Sequence, residues 1–168
     1  MIINIRKETN DDIQKIHDVI VSAFLNAPHT DHTEQFIVRE LRKAGALSLT
    51  LVAEVDGEIV GHVALSPVAI SDGSTGWYGL GPISVVPDKQ GEGIGSQLML
   101  DALAELKKLG AQGCVLLGDP GYYQRFGFKP IDGLILQGVP AEYFQAALLK
   151  GDWPQGEVTY HEAFSAKK

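Results

Sequence analysis

The N-terminal part of the chain contains one short apolar run and two amphipathic segments. The run IINIRKET is typical of a strand. Residues 10–24 then repeat apolar side chains every three to four positions, which is the period of a helix. Pro28 ends that segment, and a second amphipathic segment begins near Asp31 or Thr33. The pattern therefore predicts a strand followed by two helices.

The middle of the chain is rich in β-branched residues. Residues 46–70 form two runs of Val, Leu and Ile around Asp56-Gly57, a pair that supplies the positive φ angles of a tight hairpin turn. A polar connection leads into WYGLGPISVVP, which predicts a third strand that ends at Pro87. We expect three antiparallel strands in succession.

The next segment predicts a helix followed by a buried strand. Residues 94–109 place one row of apolar side chains on a single face, and the apolar run GCVLLG that follows suits a strand parallel to the one before the helix. The row consists of Ile94, Leu98, Ala102 and Leu106.

The last third is less regular. GYYQRFGFKP predicts a short helix and a turn, residues 140–150 predict a helix, and residues 156–164 predict a final strand. Helices and strands thus alternate irregularly, which indicates an α/β (α+β) fold with a mixed sheet rather than a doubly wound parallel one.

Length and charge limit the class of protein. The chain has 168 residues, which suits a single domain over residues 1–168. The net charge is −7 and the basic residues are scattered, which argues against a nucleic-acid partner. No apolar stretch reaches the roughly 18–20 residues that span a bilayer, so we expect no membrane association. Charge appears by Arg6, too early for a signal peptide, and Cys114 is the only cysteine, so we expect a cytoplasmic protein.

The segment DKQGEGIGSQ joins the third strand to the long helix. A helix start leaves its first N–H groups unpaired at the positive end of the helix dipole, and glycines at 91, 93 and 95 leave that backbone bare. These features predict a phosphate-binding turn. The alternative is that the glycines serve only close packing between helix and strand. Neither GxxxxGK[ST] nor GxGxxG fits, which argues against the common nucleotide motifs.

The spacing Q-x-x-G-x-G, in Gln90, Gly93 and Gly95 directly after a strand, resembles the acetyl-coenzyme A signature of the GNAT superfamily of N-acetyltransferases. Ser96 departs from the last, loosely held position of that signature. The later stretch YYQRFGF resembles a second family motif, a tyrosine four residues before a Gly-Phe pair. The resemblance covers roughly the whole chain. It implies a mixed, mostly antiparallel central sheet with a splayed pair of parallel strands and helices on both faces.

The resemblance implies acetyl-CoA as cosubstrate and no metal. The diphosphate would lie on the glycine turn, and the backbone of residues 83–86 would pair with the pantetheine arm as an added strand. A backbone N–H near Ile83 or Ser84 would polarise the thioester carbonyl. The implied cofactor-binding residues are Ile83, Val85, Val86, Gln90, Gly91, Glu92, Gly93, Ile94, Gly95 and Ser96.

The resemblance also assigns catalytic candidates. Tyr123 takes the family's position for the acid that protonates the leaving thiolate, although a packed aromatic is the alternative reading. Many relatives carry a carboxylate base on the central strands, but WYGLGPISVV contains none. Ser84, which we count as a catalytic candidate, and His62 or Glu54 acting through water therefore remain options for the base.

Two further interpretations concern ligands. His29 and His32 in HTDH have no third ligand at metal-binding spacing, so we expect no metal site.

The implied reaction is direct attack of a primary amine, from a small molecule or a peptide, on acetyl-CoA. A regulatory module that binds CoA without efficient transfer is the alternative, and a nucleotide enzyme is disfavoured by the motifs. A homodimer that pairs the C-terminal strands, as relatives often do, is a further option.

Overall fold

In the computed structural model, which describes residues 1–27, 30 and 32–167, helices and a small second sheet cover the two faces of a six-stranded sheet. The strands are β1 (Asn4–Lys7), β2 (Leu49–Val55), β3 (Glu58–Pro67), β4 (Ala69–Ile70), β5 (Trp77–Val85), β6 (Gly113–Leu117), β7 (Leu134–Ile135), β8 (Phe144–Leu148) and β9 (Gly156–Thr159). The α-helices are α1 (Ile13–Phe24), α2 (Glu34–Lys43), α3 (Ile94–Lys108) and α4 (Pro120–Tyr123). Short 3-10 turns comprise Asn10–Asp12, Pro87–Lys89, Gln124–Phe126, Ala141–Tyr143 and Glu162–Ser165.

The main sheet has the strand order β1-β2-β3-β5-β6-β8. All neighbouring strands are antiparallel except β5 and β6, which are parallel. A second sheet has the order β4-β9-β7. This arrangement confirms the predicted fold class, a mostly antiparallel mixed sheet that contains one parallel pair.

Apolar side chains fill both faces of the main sheet. The α3 face is the side on which α3 packs, and the predicted row of α3 is buried there as expected. A Cβ at Gly61 of β3 would lie 3.1 Å from side-chain atoms of both Ile94 and Leu98, so the bare glycine lets α3 approach the sheet closely. The α1–α2 face is the opposite side, where Ile16, Ile20 and Val38 contact β2 and β3. Beside these helices, the small sheet covers β5, β6 and β8.

The parallel strands β5 and β6 pair over only a short length. Their register joins Trp77 to Gly113, Tyr78 to Cys114 and Gly79 to Val115, and no later residue of either strand is paired with the other strand within the described chain. On its other side, β5 contains one extra residue relative to β3 between Leu80 and Ile83. Such a bulge bends a strand and increases its twist. The two strands therefore diverge and leave a gap at their carboxyl ends.

One predicted helix is wrong. Residues 140–150 form the 3-10 turn Ala141–Tyr143 followed by strand β8, which pairs antiparallel with β6. Alanines give this segment a high intrinsic helix propensity, but propensity yields to tertiary context. Here Phe144 and Ala146 pack into the core beneath the small sheet while Ala147 packs on the α3 face, so both sides of an extended segment are buried.

The C-terminal strand also differs from the expectation. β9 ends at Thr159 and lies between β4 and β7, with which it pairs on its two edges. Val158 and Thr159 pair with β4, and Gly156 and Glu157 pair with β7, so each edge of β9 is paired over two residues. The predicted helix stop at Pro28 and helix start at Asp31 lie outside the described residues. α1 ends at Phe24 and α2 begins at Glu34.

The packing of α3 predicts that substitutions of two leucines on this helix lower the free energy of unfolding by very different amounts. Leu98 is 0% exposed and Leu100 is 53% exposed. Leu98→Ala should lower the free energy of unfolding by about 2–5 kcal/mol, because it leaves a cavity in the core. Leu100→Ala, the matched control, should change it by less than about 0.5 kcal/mol. Urea denaturation followed by circular dichroism measures both, and equal effects of the two substitutions would contradict this placement of α3.

Candidate functional site

The turn between β5 and α3 exposes backbone N–H groups. Gly91 and Gly93 have φ angles of 79° and 88°, a region that favours glycine, and Gly93 immediately precedes α3. The amide of Gln97 donates to the Gly93 carbonyl at 3.1 Å as the first turn of the helix forms. The amides of Ile94, Gly95 and Ser96 precede this bond and have no intrahelical acceptor. The start of α3 therefore exposes the backbone amides that the sequence predicts to bind an anion.

Gln90 fastens this turn to the strand before it. Its side-chain Nε2 donates to the carbonyl oxygen of Val85 at 3.0 Å. Gly95 lies beside the opposite wall of the cavity, where a Cβ would be in ordinary van der Waals contact, 3.7 Å from the Tyr122 hydroxyl. That hydroxyl lies 3.3 Å from Oγ of Ser96, so either group donates to the other. Gln90 therefore fixes the turn to β5, and Ser96 links the start of α3 to Tyr122.

A cavity of about 630 Å³ opens between this turn, β5 and α4. Its lining includes most of the predicted residues, together with three that the prediction omitted: Lys89, Tyr122 and Arg125. The predicted residues that line it are Ile83, Val85, Gln90, Gly91, Gly93, Gly95, Ser96 and Tyr123. Val86, Glu92 and Ile94 do not line it, and Ile94 is buried in the core. The glycine turn and the YYQRFGF segment therefore share one cavity.

The charge of the cavity suits an anion. Lys89 and Arg125 are its charged lining residues, and within the described part of the chain no carboxylate lies within 4 Å of either cation. Arg125 stacks on the ring of Tyr122, 4.5 Å from its centroid, and its Nε donates to the Tyr122 carbonyl at 3.0 Å. A negatively charged ligand would therefore meet bare amides and two cations, although the protein as a whole carries −7.

The edge of β5 along the gap also offers backbone groups. The Val86 amide donates to the Val60 carbonyl at 2.9 Å. Hydrogen-bonded and non-bonded pairs alternate along antiparallel strands, so the facing residues Ser84 and His62 exchange backbone bonds. Ile83 and Val85 then direct their N–H and C=O groups away from β3, into the gap. Gln90 occupies the Val85 carbonyl, which leaves the Ile83 groups and the Val85 amide for a ligand.

Tyr123 is held firmly in the cavity wall. Asp119 caps α4 by accepting a hydrogen bond from the Gly121 amide at 2.8 Å, and the Tyr123 ring lies against Gly118, where a Cβ would collide with it. Burial, and after it the nearby Tyr122 and Asp119, raises the pKa of Tyr123 above its ordinary value. Its hydroxyl has no hydrogen-bond partner among the described residues. Tyr123 is therefore a protonated phenol with a hydroxyl that is free to donate.

The candidate bases lie elsewhere. Ser84 is 2% exposed, and alternation along the strand directs its side chain to the α1–α2 face, away from Ile83 and the cavity. His62, which faces Ser84, lies on the same side. Glu54 binds Arg6 at 2.9 Å and Asn4 at 3.1 Å, beside the outer strand β1. The structure therefore places Glu54 away from the cavity and places Ser84 and His62 behind it.

The HTDH segment, considered above for a metal site, is only partly described by the structure. His29 lies outside the described residues. In the remainder of the chain that the structure describes, no three His, Cys, Asp or Glu side chains come close enough together to hold a metal ion. None of the helices in this described part has both the length and the apolar character needed to cross a membrane.

Comparison with known proteins gives consistent results. The sequence model for the Acetyltransferase (GNAT) domain matches residues 4–131. The Escherichia coli K12 protein named uncharacterized N-acetyltransferase YhbS is 37% identical over 110 residues, which span 65% of this chain and 66% of that relative, about two thirds of its length. A crystal structure of YhbS with CoA superimposes with a TM-score of 0.89 at 32% identity, covering 98% of this chain and 92% of that one. A GNAT family acetyltransferase from Brucella melitensis, in complex with acetyl-CoA, gives a TM-score of 0.86 at 49% identity, with 97% and 98% coverage.

Proposed function

This chain belongs to the GNAT acetyltransferase family, and we propose that it transfers the acetyl group of acetyl-CoA to a primary amine of a small molecule or peptide. The observation that carries the proposal is the single cavity where the bare amides at the start of α3, the open edge of β5 and Tyr123 meet. The similar Brucella melitensis structure is a complex with acetyl-CoA, and the YhbS structure is a complex with CoA. We also infer that residues 1–168 form a single domain. The family model matches residues 4–131, and β8 and β9, which lie after these residues, pair with β6 and β4, which lie within them.

The cavity provides separate contacts for each part of the cosubstrate. The amides of Ile94, Gly95 and Ser96 would receive the diphosphate, and Lys89 and Arg125 would neutralise phosphate charge. Along the gap, the amide of Val85 and the backbone of Ile83 would pair with the amides of the pantetheine arm, as an added strand does. These contacts would place the thioester near Tyr123.

Two groups then assist acyl transfer. The Ile83 amide points into the gap and would donate to the oxygen that becomes negative as the amine attacks the thioester carbon, which is commonly worth about 3–4 kcal/mol. Ser84, the other amide considered from the sequence, is engaged with His62 of β3. Tyr123 would give its phenolic proton to the departing thiolate, and its raised pKa keeps that proton in place until the transfer.

One observation favours a second function. No carboxylate lines the cavity among the described residues, although an amine must lose a proton before or during its attack. A module that binds CoA and transfers acetyl groups poorly would have this composition. Release of free thiol from acetyl-CoA over a panel of polyamines, amino acids, aminoglycosides and peptides separates the two functions. Turnover well above the rate without amine indicates an enzyme, and binding without turnover indicates a module.

The identity of the cosubstrate can be tested by thermal unfolding. A ligand at 100 times its dissociation constant stabilises the protein that binds it by about 2.7 kcal/mol. We expect acetyl-CoA to raise the melting temperature and ATP and NAD at the same concentration to leave it unchanged. A shift with ATP or NAD and none with acetyl-CoA would contradict the proposal.

The glycine turn offers a matched pair of substitutions. Gly93 and Gly73 have nearly equal positive φ angles, 88° and 87°, and nothing lies within 4 Å of a Cβ at either position. An alanine at either position should therefore lower the free energy of unfolding by about 1–2 kcal/mol. Only Gly93→Ala should weaken acetyl-CoA binding, by about tenfold or more, because a relaxed turn moves the α3 amides. Isothermal titration measures both affinities, and equal affinities would count against the turn as the diphosphate site.

The acid role of Tyr123 predicts a selective loss. Tyr123→Phe should lower kcat by about 100-fold or more and leave the dissociation constant of acetyl-CoA unchanged, because only the hydroxyl is removed. Tyr143→Phe is the control, since Tyr143 is exposed and lies outside the cavity. Steady-state kinetics and titration give the two constants. A Tyr123→Phe enzyme with the turnover of the wild type would show that the phenol is only a packed aromatic.

A further inference from the structure

Two buried polar side chains face each other across β3 and β5 with unused hydrogen-bonding atoms. His62 is 0% exposed and Ser84 is 2% exposed. Nδ1 of His62 and Oγ of Ser84 are both buried without a partner among the described residues. Directly opposed residues of antiparallel strands share one face of the sheet, with Cβ atoms about 4.5–5.5 Å apart. The two unused atoms do not hydrogen bond to each other directly, and one water molecule between the two side chains would pair both of them.

Glu8 determines which nitrogen of His62 is free. Its Oε1 lies 3.4 Å from Nε2 of His62, and its carboxylate also accepts hydrogen bonds from Arg42 at 3.0 and 3.2 Å. Although burial raises the pKa of Glu8, hydrogen bonds and charges from His62 and Arg42 hold it below its ordinary value. A carboxylate only accepts, so Nε2 carries the proton and Nδ1 is left with a lone pair.

The surroundings of His62 keep the ring neutral. Burial lowers its pKa, Glu8 opposes that effect, and Arg42 adds to it. On β2, the residue opposite His62 is Val52, and from α1 the apolar side chains Ile16, Val19 and Ile20 pack against the same cluster. Glu8, Arg42 and Ser84 are thus the charged or polar groups that face the ring from the described elements around it. A neutral imidazole with a free Nδ1 is able to accept a proton.

Ser84 connects this pair to the reaction. It follows Ile83, whose amide points into the gap where the thioester would lie, and its side chain is on the face opposite the cosubstrate cavity. β5 and β6 are unpaired beyond Gly79, so no strand-to-strand hydrogen bond closes the gap beside Ser84. Ser84 itself is buried, so a proton of the amine would reach its side chain through a water molecule in the gap. The first side-chain oxygen of β5 on that face is Oγ of Ser84.

We propose that Ser84 and His62 form a proton relay that takes the proton of the attacking amine, with Glu8 as a positioning residue; this inference rests on the proposed function. The new C–N bond forms as the amine N–H gives its proton, through a water molecule, to Oγ of Ser84, and Ser84 passes its own proton through the bridging water to Nδ1 of His62. The C–S bond breaks as the thiolate takes the Tyr123 proton. When the product leaves, the Nδ1 proton of His62 returns to solvent by way of Ser84, which restores the tautomer with its proton on Nε2 beside Glu8, and Tyr123 regains a proton.

The relay makes a kinetic prediction with a matched control. Ser84→Ala and His62→Gln should each lower kcat by about 100-fold or more without changing the dissociation constant of acetyl-CoA, because neither side chain lines the cosubstrate cavity. Ser66→Ala is the control. Like Ser84, Ser66 is a buried serine whose Oγ has no partner among the described residues. Ser66 lies on β3 and faces Gly79, where β5 and β6 are still paired. The amine used is the one from the panel with the fastest thiol release, and circular dichroism verifies the fold of each variant.

The pH profile separates catalysis from structure. At saturating acetyl-CoA, both the amine and His62 must lose a proton, so log kcat/KM should rise with a slope of about two at low pH and about one above the pKa of His62. His62→Gln should show a slope of about one throughout. Glu8→Gln should move the change of slope to lower pH, because protonated His62 loses its anionic partner. A purely structural role would leave the shape of the wild-type profile in every variant.

Two outcomes would overturn the relay. Ser84→Ala and His62→Gln variants as active as Ser66→Ala would overturn it alone, whereas a wild-type protein that releases no thiol with any amine would overturn the proposed function and the relay together. The ¹⁵N resonances of His62 test the arrangement without turnover. They should show neutral imidazole protonated on Nε2 at neutral pH, and a proton on Nδ1 would exclude that nitrogen as the acceptor.

Discussion

The break in backbone pairing between β5 and β6 is the constraint on which the site depends. Strand backbones normally satisfy their N–H and C=O groups with neighbouring strands. Here the two parallel strands pair as far as Gly79 and Val115 and then diverge, so the groups of Ile83 and the Val85 amide have no strand to bond. Close by, α3 begins with amides that also lack partners. Both sets of groups open into the same cavity, which gives a ligand with a diphosphate and a chain of amides a continuous row of partners.

Large aromatic rings against glycines hold the paired end of β5 and β6 closed. The Trp77 ring covers Gly113, where a Cβ would collide with it, and the Tyr160 ring lies so close to Gly79 that a Cβ there would be 2.8 Å from Cε2. Beyond Gly79, the extra residue of β5 before Ile83 turns the strand away from β6. Ser84 and His62 lie buried on the α1–α2 face next to this divergence. One local irregularity of β5 thus determines the position of both the cosubstrate cavity and the buried polar pair behind it.

Local signals in the sequence predicted the parts of the site that depend on local structure. The glycine turn, the start of α3 and its buried row follow from residues within one or two helical turns of each other. Contacts between segments that are far apart in the sequence could not be predicted from such local signals. The segment that contains β8 has alanine-rich helical propensity, and only its position beside β6 makes it a strand. Likewise, Glu8 reaches His62 across 54 positions of sequence, and nothing near either residue indicates the contact. Lys89 directly precedes Gln90 and Arg125 lies inside YYQRFGF, so basic residues beside and within the motifs were the available signal for them.

A crystal structure of this protein grown with acetyl-CoA tests the central claim most directly. The account predicts diphosphate oxygens within hydrogen-bonding distance of the amides of Ile94, Gly95 and Ser96, and the pantetheine arm beside Ile83 in the gap between β5 and β6. A structure in which the diphosphate lies away from the start of α3, or in which the pantetheine arm lies outside the gap between β5 and β6, would contradict this account.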